Sequence, residues 1–260
     1  GNDNRISEPK WCEINGGILS GRSLYLDPEG QSYQATVING TYDKFLYDYL
    51  EKVDWKGKVV YDIGAHVGYH TLCFAKTVGV GGSIYSFEPH PKHLERIKIN
   101  FSRNIDLKTR IHLMPFALSN RSGTIKLYCL DNIEEGGSSA SFIDDASTHY
   151  SREHYKWFHP IDIEQKTIDK LVSEGICLPP DLIKIDVEGA ESLVIEGGMK
   201  TLGEFRPLIL IEVHSAPNMY HLINLLNTLG YSIRLLEEID TRCFIAAEPQ
   251  NQDAKLIHMT

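Results

Sequence analysis

Beyond residue 57 the apolar positions switch repeatedly between two spacings, and each switch marks a change of element. "KVVYDIG" and "GSIYSFEPH" are short runs rich in β-branched and aromatic residues, and each predicts a buried strand. Between them, "VGYHTLCFAKTV" places Val67, Thr71, Phe74, Ala75 and Val78 on one helical face. "PKHLERIKINF" predicts a second helix, with Pro91 suited to its first position. The strand "RIHLMPFALS", a hairpin arm "GTIKLYCL" and a short helix "TIDKLVSEG" follow. Next come the strand "DLIKIDVEG", the helix "ESLVIEGGMKTL", the strand "RPLILIEVH" and the helix "NMYHLINLLNTLG". Strand and helix in turn predict parallel strands with right-handed crossovers, an open doubly wound α/β sheet. The closing strands "YSIRLLEE" and "RCFIAAEP" have no helix between them and predict an antiparallel edge.

Two regions lack this rhythm. Residues 1–40 carry the short alternating runs "GGILSGRSLYLDP" and "SYQATVING" and predict a small β-rich N-terminal extension, followed by a helix at "TYDKFLYDYLEKV". Residues 131–160 show no periodicity, and a connection of that length is expected to be a lid or substrate loop. Its Tyr150, Tyr155, Trp157 and Phe158 either stack on a ring of the substrate or form the small core of a cap. His149, His154 and His159 are spaced by five, which suits metal ligation on neither a helix nor a strand.

Composition narrows the class. With 42% hydrophobic and 23% charged residues in 260, the chain can bury a full core. A net charge of −9 argues against a protein that grips nucleic acid through its phosphates. No apolar run is long enough to span a bilayer, and the N-terminus has no apolar core of a signal peptide. Five dispersed cysteines without a CxxC pair suggest reduced thiols in a cytoplasmic protein. The β-rich N-terminal arm allows pairing between chains, hence a homo-oligomer.

Candidate chemistry gathers at "VVYDIGAHVGYHT", residues 59–71. In a doubly wound sheet the ligand lies beyond the carboxyl ends of the strands, where strand order reverses. Gly64 ends the strand, where a side chain would block a ligand's approach, and Gly68 falls in the first helical turn. His66 stands where a dinucleotide site has its second glycine, and no Gly-Lys-Ser/Thr of a phosphate loop follows. Asp62, just before the turn, suits a cationic end such as the amino group of S-adenosylmethionine and not a pyrophosphate. Glu88, at the end of the next strand, is placed to accept hydrogen bonds from ribose hydroxyls. The competing reading makes both acids helix caps or solvated groups.

These segments, with "YSFEPHP", "FALSNRSGTIKLY", "DLIKIDVEGAESLVIEGG" and "RPLILIEVH", resemble the FkbM family of S-adenosylmethionine-dependent methyltransferases from about Asn39 to about Gly230; "KIDVEGAE" is the most specific. The resemblance implies a Rossmann-like class I methyltransferase domain over residues 41–260, a mostly parallel seven-stranded sheet with an antiparallel edge. It also implies O-methylation of a small hydroxylated acceptor: a saccharide, a glycolipid or a natural product. On the same basis the cofactor-binding set is Asp62, Gly64, Ala65, His66, Gly68, Thr71, Glu88 and Pro89, with Ala117 and Leu118 near the adenine. The family commonly has Asn in place of His66, and a histidine there is expected to make cofactor binding pH-dependent.

An aliphatic hydroxyl needs a general base, or a metal that lowers its pKa, before it attacks a methyl group. Lys184, Asp186 and Glu188 alternate at one strand end, and Glu212 and His214 follow at the next. Charges in a buried strand are costly unless paired. Asp186 or His214 is expected to take the proton, with Lys184 orienting the acid or stabilising the oxyanion. Asp186, Glu188, Glu212 and His214 also form a set able to hold Mg²⁺ or Mn²⁺. The plainer reading has Lys184 and Glu212 balancing charge and Glu188 capping the next helix. His66 and His70, at i and i+4, have metal-ligand spacing, but their place beside a cationic cofactor argues against a metal. A dinucleotide-dependent oxidoreductase is disfavoured by the missing glycine and by Asp62, a nucleic-acid ribose methyltransferase by the lack of a basic stripe. A binding protein without turnover is not required, since the site acids and His214 are all in place.

Overall fold

The structure, a computed structural model, describes residues 9–28, 32–130, 141–144, 146, 158–239 and 242–250. Strands β1 (Lys10–Glu13) and β2 (Ser23–Leu26) pair antiparallel, and helices α1 (Ser32–Asn39) and α2 (Lys44–Leu50) follow. The β-rich reading of residues 1–40 thus holds for one of its two runs, because "SYQATVIN" is helical. Its alternation is short, Tyr33 and Val37 fall at helical spacing, and Gly40 at φ +75° ends the turn. A Cβ on Gly40 would stand 2.0 Å from the backbone of Gly16, so the helix stop and the hairpin fix each other.

The alternating part runs β3 (Val59–Ile63), α3 (Tyr69–Val78), β4 (Ser83–Phe87), α4 (Pro91–Ser102), α5 (Ile105–Lys108) and β5 (Ile111–Met114). A small-sheet insertion follows: β6 (Ala117–Leu118), β7 (Gly123–Leu130), β8 (Ser141–Ile143) and β9 (Phe158–Lys166). The alternation then resumes as α6 (Ile168–Ser173), β10 (Leu182–Ile185), α7 (Glu191–Glu196), α8 (Met199–Phe205), β11 (Leu208–Val213) and α9 (Ala216–Thr228). It closes with β12 (Tyr231–Ile239) and β13 (Arg242–Pro249). The seven-stranded sheet has the order β12-β13-β11-β10-β3-β4-β5, with β13 antiparallel to both neighbours and the rest of the ladder parallel. Strand order reverses at β3, which lies between β4 and β10, and the site follows from that reversal.

Two predicted elements break at residues that cannot continue them. "RIHLMPFALS" splits at Pro115, leaving β5 in the large sheet and β6 in the small one. "ESLVIEGGMKTL" is two helices meeting at Gly197–Gly198, and a Cβ on Gly197 would meet the carbonyl of Ser119 at 2.0 Å. The small sheet, order β6-β9-β7-β8, was not foreseen, and it takes up both described parts of residues 131–160. Phe158 is buried with its ring 5.0 Å from that of Phe142, so it belongs to the core of this sheet; His159 is exposed on β9. Tyr150, Tyr155, Trp157, His149 and His154 lie outside the described residues.

Apolar side chains fill both faces of the large sheet. One cluster joins α3 and α4 to Ile14, Leu19, Leu24, Val37 and Leu46 of the N-terminal segment; the other lies under α6 to α9. Helix α3 is consequently buried nearly all round, not along the single predicted face. No helix among the described residues is long and apolar enough to cross a membrane, and all five cysteines are free thiols.

Candidate active site

A cavity of about 430 Å³ opens at the carboxyl ends of β3, β4, β10 and β11, within the range of roughly 300–1,000 Å³ usual for small-molecule sites. Gly64, Ala65 and His66 form one side, and Glu88, Pro89, Phe116, Ala117 and Leu118 the next. Lys184, Asp186, Glu188, Glu212 and Arg242 close the far end, and Tyr33 and Tyr42 reach in from the N-terminal segment. Gly68 and Thr71 do not line it. Gly68, at φ +83°, is the N-cap of α3, where a Cβ would press on Phe101 at 3.1 Å. Gly64 is also at φ +83°, but the reason given for it above needs correction. A Cβ there would lie 1.8 Å from the carbonyl oxygen of Asp186, so it is the neighbouring strand that forbids a side chain. His66 adopts φ +54°, a left-handed conformation that Asn and His accept more readily than most residues.

The carboxylate of Asp62 has no exposed surface and does not face the cavity. Its Oδ2 accepts a 2.5 Å hydrogen bond from Thr71, whose hydroxyl is also 2.9 Å from that of Ser86. Its Oδ1 lies 3.5 Å from Lys184 Nζ, one strand over and in register. The expected contact of Asp62 with a cationic ligand is thereby corrected: the cation it meets is Lys184, and Thr71 is engaged in the same buried network. Lys184 also donates to the carbonyl of Gly64 at 3.3 Å and lies 3.6 Å from Asp186 Oδ2. Burial alone would lower the Lys184 pKa, but Asp62 and Asp186 reverse this and hold the ammonium charged.

Glu88 is buried yet borders the cavity. Its Oε2 accepts from the His66 N–H at 2.9 Å and its Oε1 from the His90 N–H at 2.8 Å, with His93 Nδ1 at 3.3 Å. Burial would raise its pKa, but His93 and the two backbone donors outweigh it and keep the carboxyl below its ordinary value. His66 packs edge-on against His93, ring centroids 4.5 Å apart, with Tyr33 Oη 3.4 Å from its Nδ1. Burial, and next the charge of His93, push its pKa well below the ordinary range, so the expected pH dependence from His66 is corrected to a neutral imidazole.

At the far end, carboxylates crowd around one imidazole. His214 Nε2 is 3.6 Å from Asp186, 3.7 Å from Glu188 and 3.9 Å from Glu212. Its Nδ1 is 2.6 Å from Glu191 Oε1, which also accepts the Gly189 N–H at 2.9 Å, while Asn218 donates to Glu191 Oε2. Glu188 does not cap α7; the N-cap is Ala190, and the acid bonding the turn is Glu191. Glu188 sits at φ +52° with its carboxylate on the cavity. Burial and the charge of Asp186 push Glu212 up, so it carries the proton. Burial opposes ionisation of Asp186 as well, but Lys184 and His214 keep it ionised. Burial would lower His214, yet the Glu191 hydrogen bond and the charges of Glu188 and Asp186 raise it to about 10. The expectation of an imidazole that takes a proton near neutrality is corrected: in this site it already holds one, and it does not face the cavity.

Sequence reasoning missed Glu191, Asn218, Arg242, Tyr33 and Tyr42. Glu191 is the last residue of the "KIDVEGAE" segment singled out above, and that was its available signal.

The sheet order, the cavity at its switch point and the acid at the end of the strand after the glycine turn are those of the Rossmann-like methyltransferase fold. The methyltransferase FkbM domain model matches residues 62–233, and the chain belongs to that family. It is 32% identical over 163 residues to the 2-O-methyltransferase NoeI of Sinorhizobium fredii, a match that covers 60% of this chain and 63% of that protein. It is 24% identical over 194 residues to the hexuronic acid methyltransferase AglP of Haloferax volcanii, covering 74% and 71%. Among solved structures, the FkbM methyltransferase of Methylobacillus flagellatus shares the fold with a TM-score of 0.53 at 15% identity, covering 84% of this chain and 55% of that one.

Proposed function

We propose that this chain transfers a methyl group from S-adenosylmethionine to a hydroxyl of a saccharide-like acceptor. One observation carries the reading: Glu88 with the apolar wall of Phe116, Ala117 and Leu118, and the carboxylates Asp186 and Glu188, line a single cavity. The residues fit the cofactor. Glu88 is anchored by backbone donors with its carboxylate toward the cavity, where it suits ribose hydroxyls. Phe116, Ala117 and Leu118 give an apolar wall for the adenine. Asp186 and Glu188 place negative charge at the end where a sulfonium would sit.

When bound, that cofactor supplies a methyl group already activated on sulfur, so the O–C bond forms as the C–S bond breaks without further electrophilic help. The chain's own work is to align the acceptor oxygen and to receive its proton. Asp186 and Glu188, the cavity-facing carboxylates, hold the hydroxyl and take that proton, while Lys184 fixes Asp186 from behind. His214, oriented by Glu191, fixes the cluster from the other side. The saccharide class is supported by NoeI and AglP, one named a 2-O-methyltransferase and the other a hexuronic acid methyltransferase.

The test is calorimetry with S-adenosylmethionine and NAD, followed by a panel of neutral and acidic oligosaccharides read by mass spectrometry. Cofactor binding and a methyl-sized mass gain on a sugar are expected. Binding of NAD in place of S-adenosylmethionine would overturn the proposal.

A further inference from the structure

The far end of the cavity crowds together more acidic side chains than permanent cations. Asp62, Asp186, Glu188, Glu191 and Glu212 surround the permanent cations Lys184 and Arg242. Three atoms there are buried without a hydrogen-bond partner: Asp62 Oδ1, which faces Lys184, and His214 Nε2 and Glu212 Oε1, on side chains with relative exposures of 4% and 5%. Arg242 Nη1 lies 2.9 Å from Glu212 Oε1 but out of line for a hydrogen bond. Unpartnered buried polar atoms are rare in folded proteins, and those of His214 and Glu212 meet in one acidic cluster that suits a cation.

We infer that Asp186, Glu212 and His214 bind a hard divalent cation of the Mg²⁺ or Mn²⁺ type at the acceptor end of the cavity. The ligand atoms of the three residues lie within 4.8 Å of one another. Ligands at about 2.1 Å on adjacent octahedral positions are about 3.0 Å apart, so the observed 3.6 and 3.9 Å need contract by less than about 1 Å. Glu191 is the positioning residue. The Glu191 carboxylate accepts from Nδ1 and fixes the ring, as the outer carboxylates of metal-binding histidines do, and the ion would displace the second His214 proton from Nε2 together with the proton on Glu212. Asn218 and the Gly189 N–H hold Glu191 in turn. Two carboxylates and one imidazole without a thiolate suit Mg²⁺ or Mn²⁺. The chemical use of the ion rests on the proposed methyl transfer: a hydroxyl sharing the cation loses its proton more easily, and Glu188 remains to receive it. The binding itself does not rest on that reading.

Mn²⁺ binding by the purified full chain, followed by electron paramagnetic resonance without cofactor, tests the inference. One Mn²⁺ per chain is expected, displaced by Mg²⁺ and showing spin-echo modulation from a bound histidine nitrogen. Glu212→Gln and His214→Ala should each weaken it tenfold or more, and Glu191→Gln roughly 10–100-fold, with the nitrogen modulation reduced. Glu212→Gln keeps the side-chain shape and serves if His214→Ala does not fold. Absence of Mn²⁺ binding, or binding unchanged in Glu212→Gln and without nitrogen modulation, would overturn the inference. Calorimetry with S-adenosylmethionine in EDTA separates the two proposals, because cofactor binding without Mn²⁺ binding sinks only this one.

Discussion

The two ends of the cavity are built on opposite principles. At the β4 end, each oxygen of Glu88 takes a backbone N–H, and apolar side chains close the wall beside it. At the β10 and β11 end, carboxylates face one another across a single imidazole, and Asp62 Oδ1, Glu212 Oε1 and His214 Nε2 are buried without hydrogen-bond partners, against His93 Nδ1 alone beside Glu88. A satisfied buried group is rigid and suits a ligand portion that never changes during turnover. An unsatisfied cluster is costly on its own and becomes favourable once a charged or proton-bearing group enters. On the proposed function, one end holds the cofactor and the other does the chemistry.

The largest expected effect breaks the reacting end alone. Asp186→Asn keeps the size of the side chain but removes the charge beside the acceptor, and kcat should fall roughly 10³-fold. The Kd for S-adenosylhomocysteine, which lacks the sulfonium charge that Asp186 would face, should stay within about threefold when measured by calorimetry. A comparable loss in Kd would mean that the two ends are not separate. Gly64→Ala strikes the joint between them. Its φ of +83° is strained for alanine, and the added carbon collides with the Asp186 carbonyl. A loss of about 3 kcal/mol is expected, read as a lower midpoint in urea unfolding. An unchanged midpoint would show that β3 and β10 can part at that position without penalty.

The holding end was the more legible of the two in the sequence, though not for every reason given. The strand–turn–helix pattern and Glu88 could be placed from spacing alone, because both depend on neighbours close in sequence. Asp62 was read as facing a cationic ligand, but the cation beside it is Lys184, more than a hundred residues away and visible only once β3 and β10 are in register. Glu191 looks like any acid in the first turn of a helix, where acids are common. Asn218, packed against it from α9, carries no local signal at all. The small sheet escaped because the alternation in β9, "FHPIDIEQK", is confined to "IDIE" directly after Pro160, too short a run to stand out as a strand. Contacts between distant segments were the part that could not be read.

Glu88→Gln sharpens the comparison from the other side. The amide keeps the shape but loses the charge-assisted acceptor for ribose hydroxyls, a change of about 1.5–3 kcal/mol. The KM for S-adenosylmethionine should rise at least about tenfold, with most of the loss in KM and less in kcat. A loss confined to kcat would instead place Glu88 with the reacting groups.

The smallest expected effect is a flat line, and it distinguishes a satisfied end from a titrating one. Glu88 has a depressed pKa, so its carboxylate contact is present above the ordinary carboxylate range and is lost only as pH falls through a value below 4.5. His66 is held neutral by burial and by His93, and it would gain a proton only well below 6.5. His90, pushed down to about 4 by burial and by His93, keeps its Nδ1 free to accept the Lys92 N–H that starts α4. None of these three changes charge near neutral pH, so Glu88, His66 and His90 themselves add no slope to the cofactor affinity measured by calorimetry between pH 5.5 and 8. That leaves His93, 3.3 Å from Glu88, as the one histidine of that end, among the described residues, not counted with them. An affinity that falls on acidification would mean that a histidine beside Glu88 charges within the window, and the cofactor end would then be a switch.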